Sequence, residues 1–120
     1  MVKNFILIGV GGALGSMLRY GLSFLIRYKA FPLATLLINV MGSFVIGLAI
    51  AYCAKNIVFE YNWKLFVVVG LCGGFTTFSS FSLENLHLLQ NGRYFLSALY
   101  IVSSVLSGIA AAWFGFKFIH

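Results

Sequence analysis

Charge is what this sequence lacks most. Of its 120 residues eight are basic and two acidic, 8% together, while 62% are hydrophobic; a soluble domain devotes roughly a quarter of its residues to charge. So few charged side chains cannot cover a surface in water, and so short a chain cannot bury that much apolar material in one core. A water-soluble globule is excluded. Carboxylates are scarcest, with Glu60 and Glu84 alone, joined by two histidines (His87, His120) and two cysteines (Cys53, Cys72). From that stock no nucleophile pairs with a base, no metal cluster forms, and the glycines lack the strand-to-helix setting of a phosphate loop, which excludes an enzyme. Both cysteines sit in apolar runs without a partner at metal-ligand spacing, so they read as small packing residues. The net charge is +6, yet the lysines and arginines are scattered singly and form no basic stripe, which excludes a nucleic-acid partner.

What is present are long apolar runs, and the mean hydropathy of +1.03 points to lipid as the solvent. A helix needs about 20 apolar residues to cross a bilayer. The charges punctuate the chain into four such stretches, at about 4–26, 32–54, 65–89 and 94–116, within one membrane domain covering 1–120. The first follows Lys3 but is long, glycine-patterned and without an A-x-A site, so it reads as a span rather than a signal peptide. Tyr52, Tyr61, Trp63 and Trp113 gather toward one predicted interface and Tyr20, Tyr28 and Tyr94 toward the other, as anchoring rings do. Four spans put both termini on one side with Lys3, Lys55, Lys64 and Lys117, facing Arg27, Lys29, Arg93 and, if it reaches that interface, Arg19. The excess of cations that normally fixes orientation is nearly absent. The expectation is insertion both ways up, which permits an antiparallel homodimer.

Small residues recur four apart in every span: Gly11 and Gly15, Ser43 and Gly47, Gly70 and Gly74, Ser104 and Gly108, Ala111 and Gly115. Such pairs let helix backbones approach closely in lipid, and a tight bundle has little room for a large cargo. Polar residues mark faces as well. Thr35, Asn39 and Ser43 stand at i, i+4, i+8 in the second span, and Tyr100, Ser104 and Ser107 at i, i+4, i+7 in the fourth. Asn39 reads either as an interhelical clamp or as a donor lining an ion path. In the third span, GLCGGFTTFSSFSLE (70–84) sets Gly73 and Gly74 before a run of threonines and serines, a composition that weakens a helix. A break mid-membrane is expected there, and carbonyls freed at such a break commonly hold a cation. Phe78 and Phe81 follow at i, i+3; they either fill a core or offer positive ring edges to an anion. With hydroxyls, an amide, ring edges and Arg19 in the spans, and Glu84 near the far end of the third, the electrostatics favour a small anion.

GVGGALGSMLRYG (9–21), NVMGSF (39–44) and GLCGGFTTFSSFSLE (70–84), in that order in a four-span chain of this length, resemble the Fluc (CrcB-type) fluoride channels along the whole chain. The resemblance implies an all-α membrane protein with four helices per subunit and a broken third helix, assembled as an antiparallel dual-topology homodimer in a bacterial inner membrane. It implies a passive channel that exports fluoride and confers fluoride resistance. The pore residues implied are Asn39, Phe78 and Phe81, with a polar track of Thr35, Ser79, Ser82, Tyr100 and a fourth-span serine for which Ser103, Ser104 and Ser107 compete. It further implies a vestibule arginine at Arg19 and a structural sodium ion at the dimer axis, held by the backbone carbonyls of Gly73 and Thr76. Small multidrug-type transporters share the four spans and dual topology but use a glutamate in the first span, and this chain has none there. A packing subunit without transport activity would explain the small-residue pairs but not the polar faces.

Overall fold

A computed structural model of the chain describes residues 1–26, 31–55 and 60–119. Arg27, Tyr28, Lys29 and His120, used above in the charge and aromatic patterns, lie outside the described residues. The elements in order are α1 (Val2–Leu25), α2 (Leu33–Lys55), α3 (Glu60–Trp63), a π-helical segment (Lys64–Cys72), α4 (Gly73–Phe75), α5 (Phe78–Gln90) and α6 (Tyr94–Ile119). Among the described residues all regular structure is helical. Four stretches, Val2–Leu25, Leu33–Lys55, Tyr61–Gln90 and Tyr94–Ile119, are long and apolar enough to cross a membrane.

The helix ends follow local chemistry. Pro32 precedes α2 and its carbonyl accepts the Leu36 N–H, a place where a missing proline N–H costs nothing. At the same end of the molecule, α5 closes on Gly92 at φ 73°, and the bonds Arg93 N to Leu88 O and Gly92 N to Leu89 O reverse the chain within a few residues, the pattern that glycine permits after a helix. Lys55 Nζ donates to the Ile119 carbonyl at 2.8 Å, and Asn4 Nδ2 donates to Tyr61 Oη at 3.1 Å. These bonds hold the starts of α1 and α3 together at one place and the ends of α2 and α6 at another. Lys117 Nζ lies 4.9 Å from the Trp113 ring centroid, a cation over an anchoring aromatic.

Packing is governed by missing side chains. The α2 and α6 helices share the largest contact, and α1 lies along the π segment and α4. A methyl group on Gly15 would strike the Leu71 carbonyl and the Phe75 amide; one on Gly74 would strike the backbone of Gly12. Between α2 and α6, Gly47 abuts the Ala112 carbonyl and Gly115 the Phe44 carbonyl. Backbone meets backbone at both crossings, which is how helices gain dispersion contact where lipid supplies no hydrophobic drive. The π segment, whose hydrogen bonds skip one residue further than in an α-helix, runs along the glycine face of α1.

Candidate functional site

The third span is interrupted at Thr76 (φ −79°, ψ 155°) and Thr77 (φ −149°, ψ 116°), both extended. Two hydrogen-bond exchanges hold the interruption. Asn39 on α2 reaches across to Thr77, its Nδ2 donating to the Thr77 carbonyl at 3.2 Å and its Oδ1 accepting the Thr77 N–H at 2.8 Å. Thr77 caps α5 in turn, its Oγ1 accepting the Ser80 N–H at 3.1 Å, as threonine at an N-cap does. Upstream, Thr76 N and Thr76 Oγ1 both donate to the Cys72 carbonyl, at 2.9 and 2.8 Å.

These exchanges redirect particular donors. In an unbroken helix the Thr77 N–H would serve the Gly73 carbonyl and the Ser80 N–H the Thr76 carbonyl; here they go to Asn39 and to the Thr77 hydroxyl. Next to them the Gly74 carbonyl accepts from Arg19 Nε at 3.2 Å and Ser16 Oγ at 3.5 Å. The guanidinium of Arg19 is thus bound to the carbonyl end of α4.

On the other side of the interruption lies a cavity of about 300 Å³. Its walls are Asn39, Ser43 and Ile46 of α2, Thr76, Thr77, Phe78 and Phe81 around the break, and Ser104, Val105 and Gly108 of α6. Among the described residues no charged one lines it. The N-terminus of α5 opens on it, and the exposed amides of a helix start carry partial positive charge. Ser104 Oγ is buried and unpartnered, alone among buried side-chain polar atoms of the described residues. The Phe78 and Phe81 centroids are 5.6 Å apart. Phe78 is 78% exposed on the single chain, whereas Phe81 lies half-buried against Tyr100 at 4.9 Å.

Behind Phe81 stands a second polar group. Glu84 accepts from Thr35 Oγ1 through one carboxylate oxygen and from Tyr100 Oη through the other, both at 2.8 Å, with Tyr100 fully buried. Thr35 and Tyr100 therefore meet on Glu84, a residue that the sequence singles out without a role. Ser79 is exposed and its hydroxyl pairs with Thr77 Oγ1 at 3.1 Å. Ser82 is exposed. Ser107 donates to the carbonyl of Ser103 on its own helix and does not line the cavity, so of the fourth-span serines it is Ser104 that does. One buried pair escaped sequence reading: Asn85 Nδ2 donates to the Phe81 carbonyl at 2.9 Å, and Ser97 Oγ donates to Asn85 Oδ1 at 2.8 Å. The spacing of Asn85 one turn after Phe81 was the available signal.

Long apolar helices, packed through glycine, define a small multi-pass integral membrane protein. The chain belongs to the CrcB-like protein, Camphor Resistance (CrcB) family, whose model matches residues 6–116. Similar chains include the fluoride-specific ion channel FluC of Azobacteroides pseudotrichonymphae, 44% identical over 119 residues, covering 97% of this chain and 95% of the relative. The protein of the same name from Flavobacterium psychrophilum is 42% identical, covering 95% and 94%, and one from Thermus thermophilus is 41% identical, covering 97% and 94%. All three are named as ion channels, not enzymes.

Proposed function

We propose that this chain is a fluoride-selective passive channel that conducts as an antiparallel homodimer, exports fluoride across a bacterial plasma membrane and so confers fluoride resistance. The observation that carries the reading is the buried, unpartnered Ser104 hydroxyl in the wall of an uncharged cavity. A buried donor without a partner calls for one, and an anion supplies the acceptor. Asn39, with one N–H committed to Thr77, has a second to give; the α5 N-terminus and the edges of Phe78 and Phe81 add positive potential. The names of the relatives identify the anion as fluoride. A hard anion sheds its water only where hydroxyl and amide donors replace it, and a narrow path excludes larger halides.

In this reading Asn39, Phe78, Phe81 and Ser104 form the pore, with Thr35, Ser79, Ser82, Tyr100 and Ser107 on or beside its polar track and Arg19 at its vestibule. Hydrogen fluoride enters cells as the neutral acid and dissociates in a less acidic cytoplasm, and a negative interior then drives the anion out without energy coupling. The break falls near the middle of Tyr61–Gln90 and so near the bilayer midplane. There the helix presents a carbonyl end and an amide end, suited to a cation and an anion respectively. The Gly73 and Thr76 carbonyls are among those that lose their helical donors at the break, and Gly73 is exposed on the single chain; two copies of each would hold a sodium ion on a two-fold axis. When bound, that ion supplies fixed positive charge and cross-links the copies.

The test is fluoride efflux from liposomes holding the purified protein, read with a fluoride electrode under a potassium gradient with valinomycin, beside chloride-loaded vesicles. Fluoride release without chloride release is the expected result. No release from vesicles containing folded protein would refute the reading.

A further inference from the structure

The cavity contains one polar side chain to which no role has been given. Ser43 follows Asn39 by one helical turn on α2, and Gly108 follows Ser104 by one turn on α6, so the two pairs line the same cavity from two facing helices. A Cβ built on Gly108 would come 3.8 Å from Ser43 Oγ, with no closer neighbour within reach. The absence of a side chain at Gly108 therefore leaves the Ser43 hydroxyl facing open space rather than packed against the opposing helix. This differs from the glycines at the helix crossings, where a methyl group would strike backbone.

Resting on the channel reading above, we propose that Ser43 is an anion-binding residue of the path: its hydroxyl, with Asn39 Nδ2 and Ser104 Oγ, forms a station of three neutral donors for a dehydrated fluoride ion. Three donors from two helices surround an ion better than the two that the stripe of α6 and the amide of Asn39 provide. Hydrogen bonds to an ionic acceptor are shorter and stronger than neutral ones, so a small hydroxyl beside a bare glycine matters more here than at a packing site. Because Gly108 faces Ser43 directly, a hydroxyl placed on α6 at position 108 reaches the same point from the opposite wall.

The experiment compares the parent protein, Ser43→Ala, Gly108→Ser and the double variant in the liposome efflux assay, with fluoride concentration varied to find half-saturation. Ser43→Ala is expected to lower flux about tenfold and to raise the half-saturating concentration in the same sense, and Ser43→Ala/Gly108→Ser to recover flux to within about threefold of the parent. A serine needed only for packing would not be rescued by added bulk across the interface, so a deficit that persists in the double variant overturns the proposal. Unchanged flux in Ser43→Ala also overturns it while leaving the channel reading intact. If the parent itself does not conduct, the channel reading fails and this one with it, a result read from the parent alone. Should Ser43→Ala not yield folded protein, Ser43→Cys keeps the size and replaces the hydroxyl by a weak donor; it is expected to show the same loss, and parent-like flux would refute the assignment.

Discussion

Asn39 illustrates how one side chain can hold an interruption in a neighbouring helix. The sequence reads it as either a helix clamp or a pore donor; the structure shows the clamp in full, with both ends of the amide on the Thr77 backbone, which leaves one of its two N–H groups outside the clamp. Which fourth-span serine faces the cavity was not legible, because Ser103, Ser104 and Ser107 differ only by rotation about α6 and that rotation is set by the fit against α2. The aromatic pair was legible as a pair, though not that Phe81 leans on Tyr100 while Phe78 stands exposed. Phe78→Ile and Phe81→Ile keep apolar bulk and remove the ring edge. A ring-edge contact worth about 1 kcal/mol predicts roughly a fivefold loss of fluoride flux for each, with folded protein retained on size exclusion. Parent-like flux in both would remove the rings from the path.

At the scale of elements, the four long helices could be read from where charges interrupt apolar runs, and the weak point of the third from its glycines and hydroxyls. The π register of Lys64–Cys72 could not, since it arises where the backbone runs against α1 and no local residue pattern encodes it. The glycines at that crossing give a sharp contrast. Gly15→Ala would drive a methyl group into the Leu71 carbonyl and Phe75 amide, whereas Gly9→Ala meets nothing within 4 Å. Overpacking predicts a loss of about 1–3 kcal/mol for the first and none for the second, seen as a lower midpoint of thermal aggregation in detergent. Between α5 and α6, Ser97→Ala strands the buried Asn85 carbonyl oxygen. The expected cost is about 1–3 kcal/mol, measured the same way, and an unchanged midpoint would mean that water satisfies Asn85.

For the whole molecule, the near balance of cations between the two ends was readable from sequence alone, whereas assembly was not, because a lipid-facing helix and a partner-facing helix expose the same apolar surface. Phe78, at 78% exposure, is the most exposed of the large apolar side chains of the third span. Insertion both ways up predicts that an added cysteine at the α5–α6 turn, Asn91→Cys, is labelled from outside intact spheroplasts in about half the copies, the native Cys53 and Cys72 being buried. Labelling of all copies or of none would establish a single orientation. The grip of Asn39 on Thr77 has a further consequence for mutational tolerance. Because it holds backbone and not side chain, no replacement at position 77 can compensate for a change at position 39. A saturation library selected for growth in fluoride should accept almost nothing but asparagine at position 39, yet admit serine, aspartate or asparagine at position 77, where only the cap on α5 has to be kept.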